Sequence, residues 1–329
     1  MTHAPPDVLI ITREEIARAM APADWLQAAE RSFRAAATDT ACSPLPMHLP
    51  VRRGGFHVKA ASVSLDRNYV AAKVNGNFPA NPEELGLPTV QGAIILADGS
   101  SGVLLAVMDS IEVTMRRTAA ASALAAKLLA KPDSATMLLC GCGAQGRAHM
   151  AAIPEVLPLT RLLFWDRSRD AAEGLARDLN GTVASDLQAA SLSADVIVCC
   201  TSASEPFLHA DMVRPGTFIA AVGTDNPDKS EISPALMARA TVVADSLQQC
   251  AVMGDLHHAI AARKMTDADV YAELGQVVAG ARSGRKSPEE IIVFDSTGTG
   301  LQDVAAAAAV YERCASAGQV RSIALAAAR

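Results

Sequence analysis

A glycine-rich turn near the middle of the 329-residue chain has the spacing Gly-x-Gly-x-x-Gly, formed by Gly141, Gly143 and Gly146. It follows a short apolar run at residues 136–140, and Asp166 stands 20 residues beyond its last glycine. This spacing is typical of a strand–turn–helix unit that binds a dinucleotide, because the helix N-terminus offers free N–H groups and a positive dipole end to the pyrophosphate. These residues therefore predict an enzyme that uses a nicotinamide cofactor.

The identity of the cofactor depends on Asp166 and the residues after it. An acidic side chain at this place would hydrogen-bond the ribose hydroxyls and repel a 2′-phosphate, so NAD is the predicted cofactor. Arg167 and Arg169 follow at once and could bind a 2′-phosphate instead, which leaves NADP as the alternative. The further candidate cofactor contacts in this stretch are Ala144, Gln145 and Arg167.

The elements that would position the glycine turn alternate between strand and helix from about residue 132 to residue 287. Because buried parallel strands appear as short apolar runs, this alternation predicts an α/β domain whose parallel sheet is covered on both faces. The predicted strands are residues 136–140, 161–165, 196–201, 217–222 and 241–244.

The residues before 132 have a different pattern, in which alternating apolar and polar residues predict an antiparallel sheet with helices. Thr12 and Glu15 have the spacing of a helix capping box. A short apolar run at 291–294 and a helix over 301–315 are expected to return to this first domain. The predicted domains are therefore 1–131 with 288–329, and 132–287. The predicted strands are 9–12, 56–63, 69–74, 89–96 and 103–108, and the predicted helices are 23–37 and 114–130.

Composition narrows the class of protein further. The net charge of −6 gives no sign of a nucleic-acid or anionic-membrane partner, and no apolar run reaches the ~18 residues of a membrane span. The seven cysteines fit no zinc-ligand spacing, so we expect no metal and a reduced, cytoplasmic protein. Residues 1–6 lack the basic and apolar regions of a secretory signal.

Several polar clusters lie outside the glycine unit, among them Thr114-Met-Arg-Arg117-Thr118-Ala-Ala. The others are residues 72–79, 86–92, 222–231 and 294–303. With these motifs in this order, the chain closely resembles the ornithine cyclodeaminase/mu-crystallin family from about Leu9 to Ala317. The resemblance implies a homodimer with an α/β fold, in which a Rossmann NAD(P)-binding domain is inserted into a discontinuous α+β domain for substrate binding and dimerisation.

The resemblance also implies roles for individual residues. Lys73 matches a lysine that binds the substrate carboxylate or donates a proton, and Arg117 matches the arginine that clamps the carboxylate. A planar guanidinium suits such an anion. Asp225 matches an aspartate that handles protons at the substrate amine. The positions implied at the cofactor are Thr89, Thr118, Thr201, Val222, Gly223, Asp225 and Gly298.

One departure concerns a second contact with the carboxylate. Relatives often carry an arginine in a Pro-x-Arg stretch before the first strand pair, where this chain has Met47 or His48. Arg52 could replace that arginine, and so could Lys59, which lies in Phe-His-Val-Lys-Ala. The sequence leaves both candidates open.

The family includes amino-acid dehydrogenases, cyclic ketimine reductases, cyclodeaminases and mu-crystallin. The resemblance implies first an NAD(P)H-dependent reductase of imino acids or cyclic ketimines, such as Δ1-pyrroline-2-carboxylate to L-proline, or an amino-acid dehydrogenase. One alternative is ornithine cyclodeaminase, which converts L-ornithine to L-proline and ammonia while NAD is recycled. Another is a non-catalytic, mu-crystallin-like protein that binds NADPH and a small ligand, although the presence of Lys73, Arg117 and Asp225 argues against it.

Overall fold

A computed structural model of the chain describes residues 7–38 and 40–325. The prediction about a secretory signal concerns residues 1–6, which lie outside the described residues. Within the described ranges, no helix has both the length and the apolar character needed to cross a membrane. The chain divides into two compact units, of which the first runs up to Arg117 and resumes at Thr299, and the second is Thr118–Gly298.

The first stretch of the chain begins as predicted, because the hydroxyl of Thr12 accepts from the backbone N–H of Glu15 and the carboxylate of Glu15 accepts from that of Thr12. This capping box starts the first helix. The elements of this stretch are β1 (Val8–Ile11), α1 (Arg13–Ala19), α2 (Pro22–Ala36), β2 (Ala41–Cys42), β3 (Met47–Val51), β4 (Gly54–Ser64), β5 (Asn68–Asn77), α3 (Asn81–Leu85), β6 (Val90–Asp98), β7 (Leu104–Asp109) and α4 (Ser110–Leu129).

The middle of the chain alternates strands and helices, as the short apolar runs predicted. Its elements are β8 (Thr136–Cys140), α5 (Ala144–Ala152), β9 (Arg161–Trp165), α6 (Arg169–Asp178), β10 (Thr182–Val183), α7 (Leu187–Ser193), β11 (Val196–Cys199), β12 (Phe218–Ala221), α8 (Pro234–Arg239), β13 (Thr241–Ala244), α9 (Leu247–Met253), α10 (Asp255–Ala261), β14 (Ala272–Glu273), α11 (Leu274–Val278) and β15 (Ile292–Asp295). The chain then forms α12 (Gly300–Ala317) and β16 (Arg321–Ile323).

The second unit contains a parallel sheet with the order β10-β9-β8-β11-β12-β15-β13-β14. Its central strands β11, β12 and β15 are buried along their length, which is typical of parallel strands in an α/β sheet. The chain leaves β8 toward one edge of the sheet and returns to β11 on the other side. Ligands of such sheets bind at this switch point, beyond the carboxyl ends of the strands. The predicted α/β fold with a Rossmann domain is confirmed.

The boundaries between the units differ from the predicted ones at both ends. The first division lies inside α4, after Arg117, rather than after residue 131. The second lies after Gly298 rather than after residue 287, because β15 inserts between β12 and β13 of the parallel sheet. The apolar run at 291–294 was expected in the first unit and belongs to the second. The sequence of a single buried strand does not indicate which sheet the strand joins.

The first unit contains a mixed sheet with the order β16-β1-β7-β6-β5-β4-β2, and β3 also pairs with β4. All neighbours in it are antiparallel except β1 and β7, which the long connection between them allows to run in parallel. The helix α12 packs on β4 and β5. A Cβ atom at Gly300 would lie 2.7 Å from the carbonyl oxygen of Ala60, so glycine allows the first turn of α12 to approach the sheet closely.

Candidate functional site

The glycine turn of the second unit has the geometry that its spacing predicted. Gly141 follows β8 with a φ of +102°, and a Cβ atom there would lie 2.7 Å from the carbonyl oxygen of Cys200. A Cβ atom at Gly146 would lie 2.2 Å from the carbonyl oxygen of Gly141. By contrast, a Cβ atom at Gly143 would meet no atom within 4 Å. Two of the glycines therefore permit tight packing, whereas the third leaves the backbone open to a ligand.

The helix α5 begins directly at this open backbone. Gly143 is its N-cap and supplies no side-chain acceptor, so the N–H groups of the first turn, from Ala144 and Gln145 onward, are available to a phosphate. The turn also lies at the switch point of the sheet, since β8 pairs with β11. Thr201 follows β11, and its methyl group would lie 3.2 Å from a Cβ atom at Gly141. The structure thus brings these predicted cofactor residues together.

Asp166 connects the end of β9 to the glycine turn. Its Oδ2 accepts from the backbone N–H of Cys142 at 2.7 Å, and its Oδ1 accepts from that of Ser168 at 2.8 Å. Sequence reasoning gave this carboxylate only a role toward the ribose. The structure adds a second role, because the same side chain fixes the turn, and a carboxylate still has lone pairs for a ribose hydroxyl. The neighbouring Arg167 is exposed.

A buried glutamate that sequence reasoning missed, Glu231, joins the loops after β11 and β12. Its Oε1 accepts from the backbone N–H of Thr201 at 2.6 Å, and its Oε2 accepts from that of Gly223 at 2.7 Å. Burial, together with the charge of Asp255, raises the pKa of Glu231 to about 7. Its only signal in the sequence was its place in the polar cluster 222–231. The loop after β12 begins with Val222, whose N–H donates to the carbonyl oxygen of Cys199.

Two further predicted residues of the second unit have contrasting environments. Asp225 forms an ion pair with Lys229 at 2.7 Å, and 55% of its side chain is exposed. Gly298 has a φ of +72°, its N–H donates to Asp245 at 2.6 Å, and its carbonyl accepts from Gln249 at 2.9 Å. Asp225 is thus a surface residue of its unit, whereas Gly298 is held in place by buried polar side chains.

The first unit contains a buried charge cluster made by Lys73 on β5, Arg117 on α4 and Asp303 on α12. The Nζ of Lys73 lies 2.7 Å from Oδ2 of Asp303, and the Nε of Arg117 donates to its Oδ1 at 2.8 Å. Arg117 also donates through Nη1 to Gln302 at 2.9 Å, and Lys73 donates to the hydroxyl of Thr114 at 3.2 Å. The two residues that the resemblance singled out therefore share one carboxylate.

Burial and the neighbouring charges shift the pKa values of Lys73 and Asp303 in this cluster. Burial lowers the pKa of Lys73 to about 7, against the opposing effect of Asp303 and in the same direction as the charges of Arg117 and Lys59. The pKa of Asp303 is lowered, because the charges of Arg117, Lys73 and Lys59 outweigh its burial. Three cations thus act on a single carboxylate.

Four further candidate site residues come from the first 131 residues of the chain, and one of them lies near the charge cluster. Lys59 lies directly opposite Lys73 in the pairing of β4 with β5. Arg52 is exposed in the turn between β3 and β4. Thr89 precedes β6 and accepts from the N–H of Phe78 through its carbonyl, and Thr118 is buried on α4. Of the two candidate replacements for the missing arginine, only Lys59 lies opposite a residue of the cluster in the sheet.

Sequence reasoning quoted the pair Gln302-Asp303 but gave neither residue a role in the site. Both lie in the first turn of α12, which Thr299 caps by accepting from the N–H of Gln302. Asp303 is 186 residues from Arg117, so no local spacing connects them. The usable signal was the presence of an acid and an amide directly after a glycine-rich turn, at the start of an apolar helix.

Comparisons with known proteins show the family of the chain. The model of the ornithine cyclodeaminase/mu-crystallin family matches residues 7–318. A putative dehydrogenase of Rhizobium meliloti is 39% identical over 316 residues, which cover 92% of this chain and 95% of that protein.

Solved structures are similar over nearly the whole chain. An archaeal alanine dehydrogenase dimer with bound NAD has a TM-score of 0.91 and 33% identity, and the match covers 97% of this chain and 99% of that one. The Δ1-pyrroline-2-carboxylate reductase of Thermococcus litoralis, in complex with NADH and L-proline, also has a TM-score of 0.91, with 26% identity and coverage of 96% and 100%.

Proposed function

The chain belongs to the ornithine cyclodeaminase/mu-crystallin family, and from that premise we propose that it is an NAD-dependent oxidoreductase acting on the C–N bond of small amino and imino acids. The leading reaction is reduction of a 2-imino acid, such as the cyclic ketimine Δ1-pyrroline-2-carboxylate, to the amino acid. Amino-acid dehydrogenation is the same exchange in reverse. Both similar enzymes of known structure act on substrates with an α-carboxylate next to a C–N bond.

The observation that carries this proposal is the shared carboxylate of Asp303, which holds Lys73 and Arg117 in one buried place. Asp303 supplies one negative charge to these two cations. Burying unbalanced charge is costly, so stability alone does not explain such a cluster. It suits an anionic ligand, and an α-carboxylate has the planar shape that a guanidinium binds.

NADH, when bound, supplies the hydride that forms the C–H bond at the imine carbon, while the imine nitrogen takes up a proton. In this proposal Arg117 binds the α-carboxylate, and its bonds to Asp303 and Gln302 fix the plane of the guanidinium. Lys73 has two of its three N–H groups directed at Asp303 and Thr114, so the third remains for the substrate. A pKa of about 7 suits it as the proton donor at neutral pH.

Asp225 is the alternative proton-handling group that the resemblance implies. More than half of its side chain is exposed, and it forms an ion pair with Lys229. We therefore assign the role of proton donor to Lys73 and propose that Asp225 contacts the cofactor.

The proposed cofactor is NAD. Its pyrophosphate would lie on the open backbone at Gly143 and the first turn of α5, where the N–H groups of Ala144 and Gln145 begin the helix. Asp166 would accept from the ribose hydroxyls and disfavour a 2′-phosphate. Arg167 is the exposed cation that NADP would need, so NADP remains the alternative to be tested.

We also propose a homodimer, since one face of the first unit's sheet presents apolar side chains to its surroundings. The exposed members of this face on β3, β5 and β6 are Met47, Leu49, Val51, Val70, Val74 and Ile95. Contiguous apolar surface of this kind marks interaction sites. The occupant is a second copy of the chain, because the similar alanine dehydrogenase is a dimer. Sedimentation of the purified protein tests this directly, and a monomer at micromolar concentration would contradict it.

The catalytic proposal is tested by incubating purified protein with NADH or NADPH and Δ1-pyrroline-2-carboxylate, and separately with L-ornithine and a catalytic amount of NAD. Loss of reduced-cofactor absorbance with the imine, and a preference for NADH, is the expected result. Ammonia and proline formed from ornithine without net change in cofactor would establish a cyclodeaminase instead. Binding of cofactor and ligand without either reaction would establish a non-catalytic binding protein.

A further inference from the structure

Glu231 connects two loops of the second unit at the carboxyl ends of β11 and β12. Its carboxylate accepts from the N–H of Thr201, which follows β11, and from the N–H of Gly223, which follows β12. A Cβ atom at Gly223 would lie 2.4 Å from the carbonyl oxygen of Thr201 and 2.5 Å from Cδ of Glu231, so glycine permits this close approach. Ligands of an open α/β sheet bind beyond these strand ends, so the contact lies where it can act on cofactor binding.

The backbone of Glu231 is held independently of its side chain. Its N–H donates to Oδ1 of Asp255 at 2.9 Å, and its carbonyl oxygen accepts from the N–H groups of Phe207 and Leu208 at 3.1 Å each. These bonds do not involve the carboxyl group. A change confined to the end of the side chain should therefore alter the contact between the two loops and leave the path of the chain through residue 231 in place.

The contact between the loops suits the ionised form of Glu231. Each carboxylate oxygen faces one backbone N–H, at 2.6 Å for Thr201 and 2.7 Å for Gly223. In a protonated carboxyl group one oxygen carries a hydrogen, which leaves less acceptor capacity for an N–H donor. Because Glu231 and Gly223 are both buried, an N–H that loses its acceptor there is unfavourable. Protonation of Glu231 should therefore weaken the link between the two loops.

The charged and titratable groups around Glu231 come from α10 and from the end of β11. Burial, together with the charge of Asp255 on α10, raises the pKa of Glu231 to about 7. His258 on the same helix acts in turn on Asp255. A hydrogen bond with a neighbouring thiol at Cys199, and burial at Cys200, raise the pKa values of these two thiols well above the usual range, so both stay neutral. Glu231 therefore takes up a proton near neutral pH.

We propose that Glu231 is a positioning residue for the cofactor, whose ionised carboxylate holds the loops after β11 and β12 in the arrangement that binds NADH. This inference rests on the proposed cofactor site and is independent of the substrate. Proton binding and cofactor binding are linked reciprocally, so a cofactor that favours the ionised carboxylate binds more weakly when Glu231 is protonated. The affinity for NADH should therefore be highest above pH 7 and decrease as the pH falls through about 7.

The test measures the NADH dissociation constant by fluorescence titration, without substrate, from about pH 6 to about pH 8.5. The variant Glu231→Gln keeps the shape of the side chain, but its NH2 group faces one of the two N–H donors. Glu289→Gln is the matched control, because Glu289 is exposed and precedes β15 at the amino ends of the strands. Lys73→Met and His258→Gln remove two other groups that could titrate in this range.

For the wild type, the dissociation constant should rise by about three- to tenfold between the alkaline and the acidic end of the range, since one unit of pKa shift corresponds to tenfold. Glu231→Gln should bind NADH about tenfold more weakly at the alkaline end and should lose the pH dependence. Hydrogen exchange should be faster in this variant at residues 201 and 223 and unchanged in β8. Glu289→Gln should resemble the wild type, and Lys73→Met and His258→Gln should retain the pH dependence.

Several results would overturn the inference while the cofactor site stands. They are a wild-type affinity that does not change with pH, a pH dependence that persists in Glu231→Gln, and one that disappears in Lys73→Met or His258→Gln. If Glu231→Gln does not fold, calorimetry of NADH binding to the wild type near pH 7, in buffers of different ionisation enthalpy, decides the question. The inference predicts proton release, and binding without release would contradict it. If neither NADH nor NADPH binds at any pH, the proposed cofactor site fails together with the inference.

Discussion

Lys73 and Asp303 form a 2.7 Å ion pair although both side chains are almost entirely buried, and Arg117 binds the other oxygen of the same carboxylate. The pair connects a strand of the first unit's sheet to a helix more than two hundred residues later in the chain. Because one acid holds two cations, the contact leaves the surroundings positive. The proposed role in binding an imino acid follows from this imbalance.

Replacing Arg117 by Met should weaken substrate binding. The change removes a charge-assisted contact with the α-carboxylate, so KM for the imine should rise by about 10- to 100-fold while the NADH dissociation constant is unaffected. Steady-state kinetics and a fluorescence titration measure the two quantities. Arg116→Met is the control, since Arg116 is partly exposed and pairs with Glu112. An unchanged KM in Arg117→Met would remove Arg117 from the substrate site.

Lys73 should give the reaction a specific pH dependence. A proton donor must be protonated, and burial lowers the pKa of Lys73 to about 7. We therefore expect kcat/KM to fall as pH rises through about 7, with the acidic side of the profile fully active. Lys73→Met should lower kcat and abolish this limb, whereas Asp225→Asn should retain it. A Lys73→Met enzyme with full kcat and the same limb would place the proton donor elsewhere.

Asp303→Asn should destabilise the fold. The change leaves Lys73 and Arg117 without their counterion in a buried place, which costs about 3–5 kcal/mol in the free energy of unfolding. Denaturant titration measures the loss. Asp66→Asn is the comparison, because Asp66 pairs with Arg31 but is 88% exposed, and exposed pairs contribute about 0–1 kcal/mol. Equal stability of Asp303→Asn and wild type would mean that the cations do not depend on this carboxylate.

The glycine turn could be predicted from sequence because every signal for it is local. Gly141 and Gly146 belong to the same glycine-rich turn, and the strand before them is a short apolar run. Asp303 could not be predicted in the same way, because its role depends on the packing of α12 against β4 and β5. That packing requires the close approach at Gly300, which no periodicity in the sequence encodes.

The position of the strand β15 was mispredicted for a related reason. Three of its four residues are apolar and all four are buried, as in a strand of either sheet. Its partners β12 and β13 are chosen by three-dimensional packing, which moves the boundary of the second unit to Gly298. In both cases the residue types were informative, and the missing information was which distant element they contact.

Gly146→Ala should impair cofactor binding. A Cβ atom there would lie 2.2 Å from the carbonyl oxygen of Gly141, so the turn must shift away from the backbone path that approaches the pyrophosphate. We expect NADH affinity to fall by about tenfold or more, since the motif depends on close helix–strand packing at this glycine. Gly174→Ala on α6 meets no atom within 4 Å and should leave affinity unchanged. Equal affinities for the two variants would argue against the turn as the cofactor site.

The most direct test of the account is to follow the hydride itself. The protein is incubated with NADH that carries deuterium at both C4 positions of the nicotinamide and with a 2-imino acid, and the amino acid formed is analysed by mass spectrometry and proton NMR. The account predicts one deuterium at the α-carbon of the product, and much slower labelling with Arg117→Met at the same substrate concentration. An amino-acid product without deuterium at that carbon would contradict the central claim.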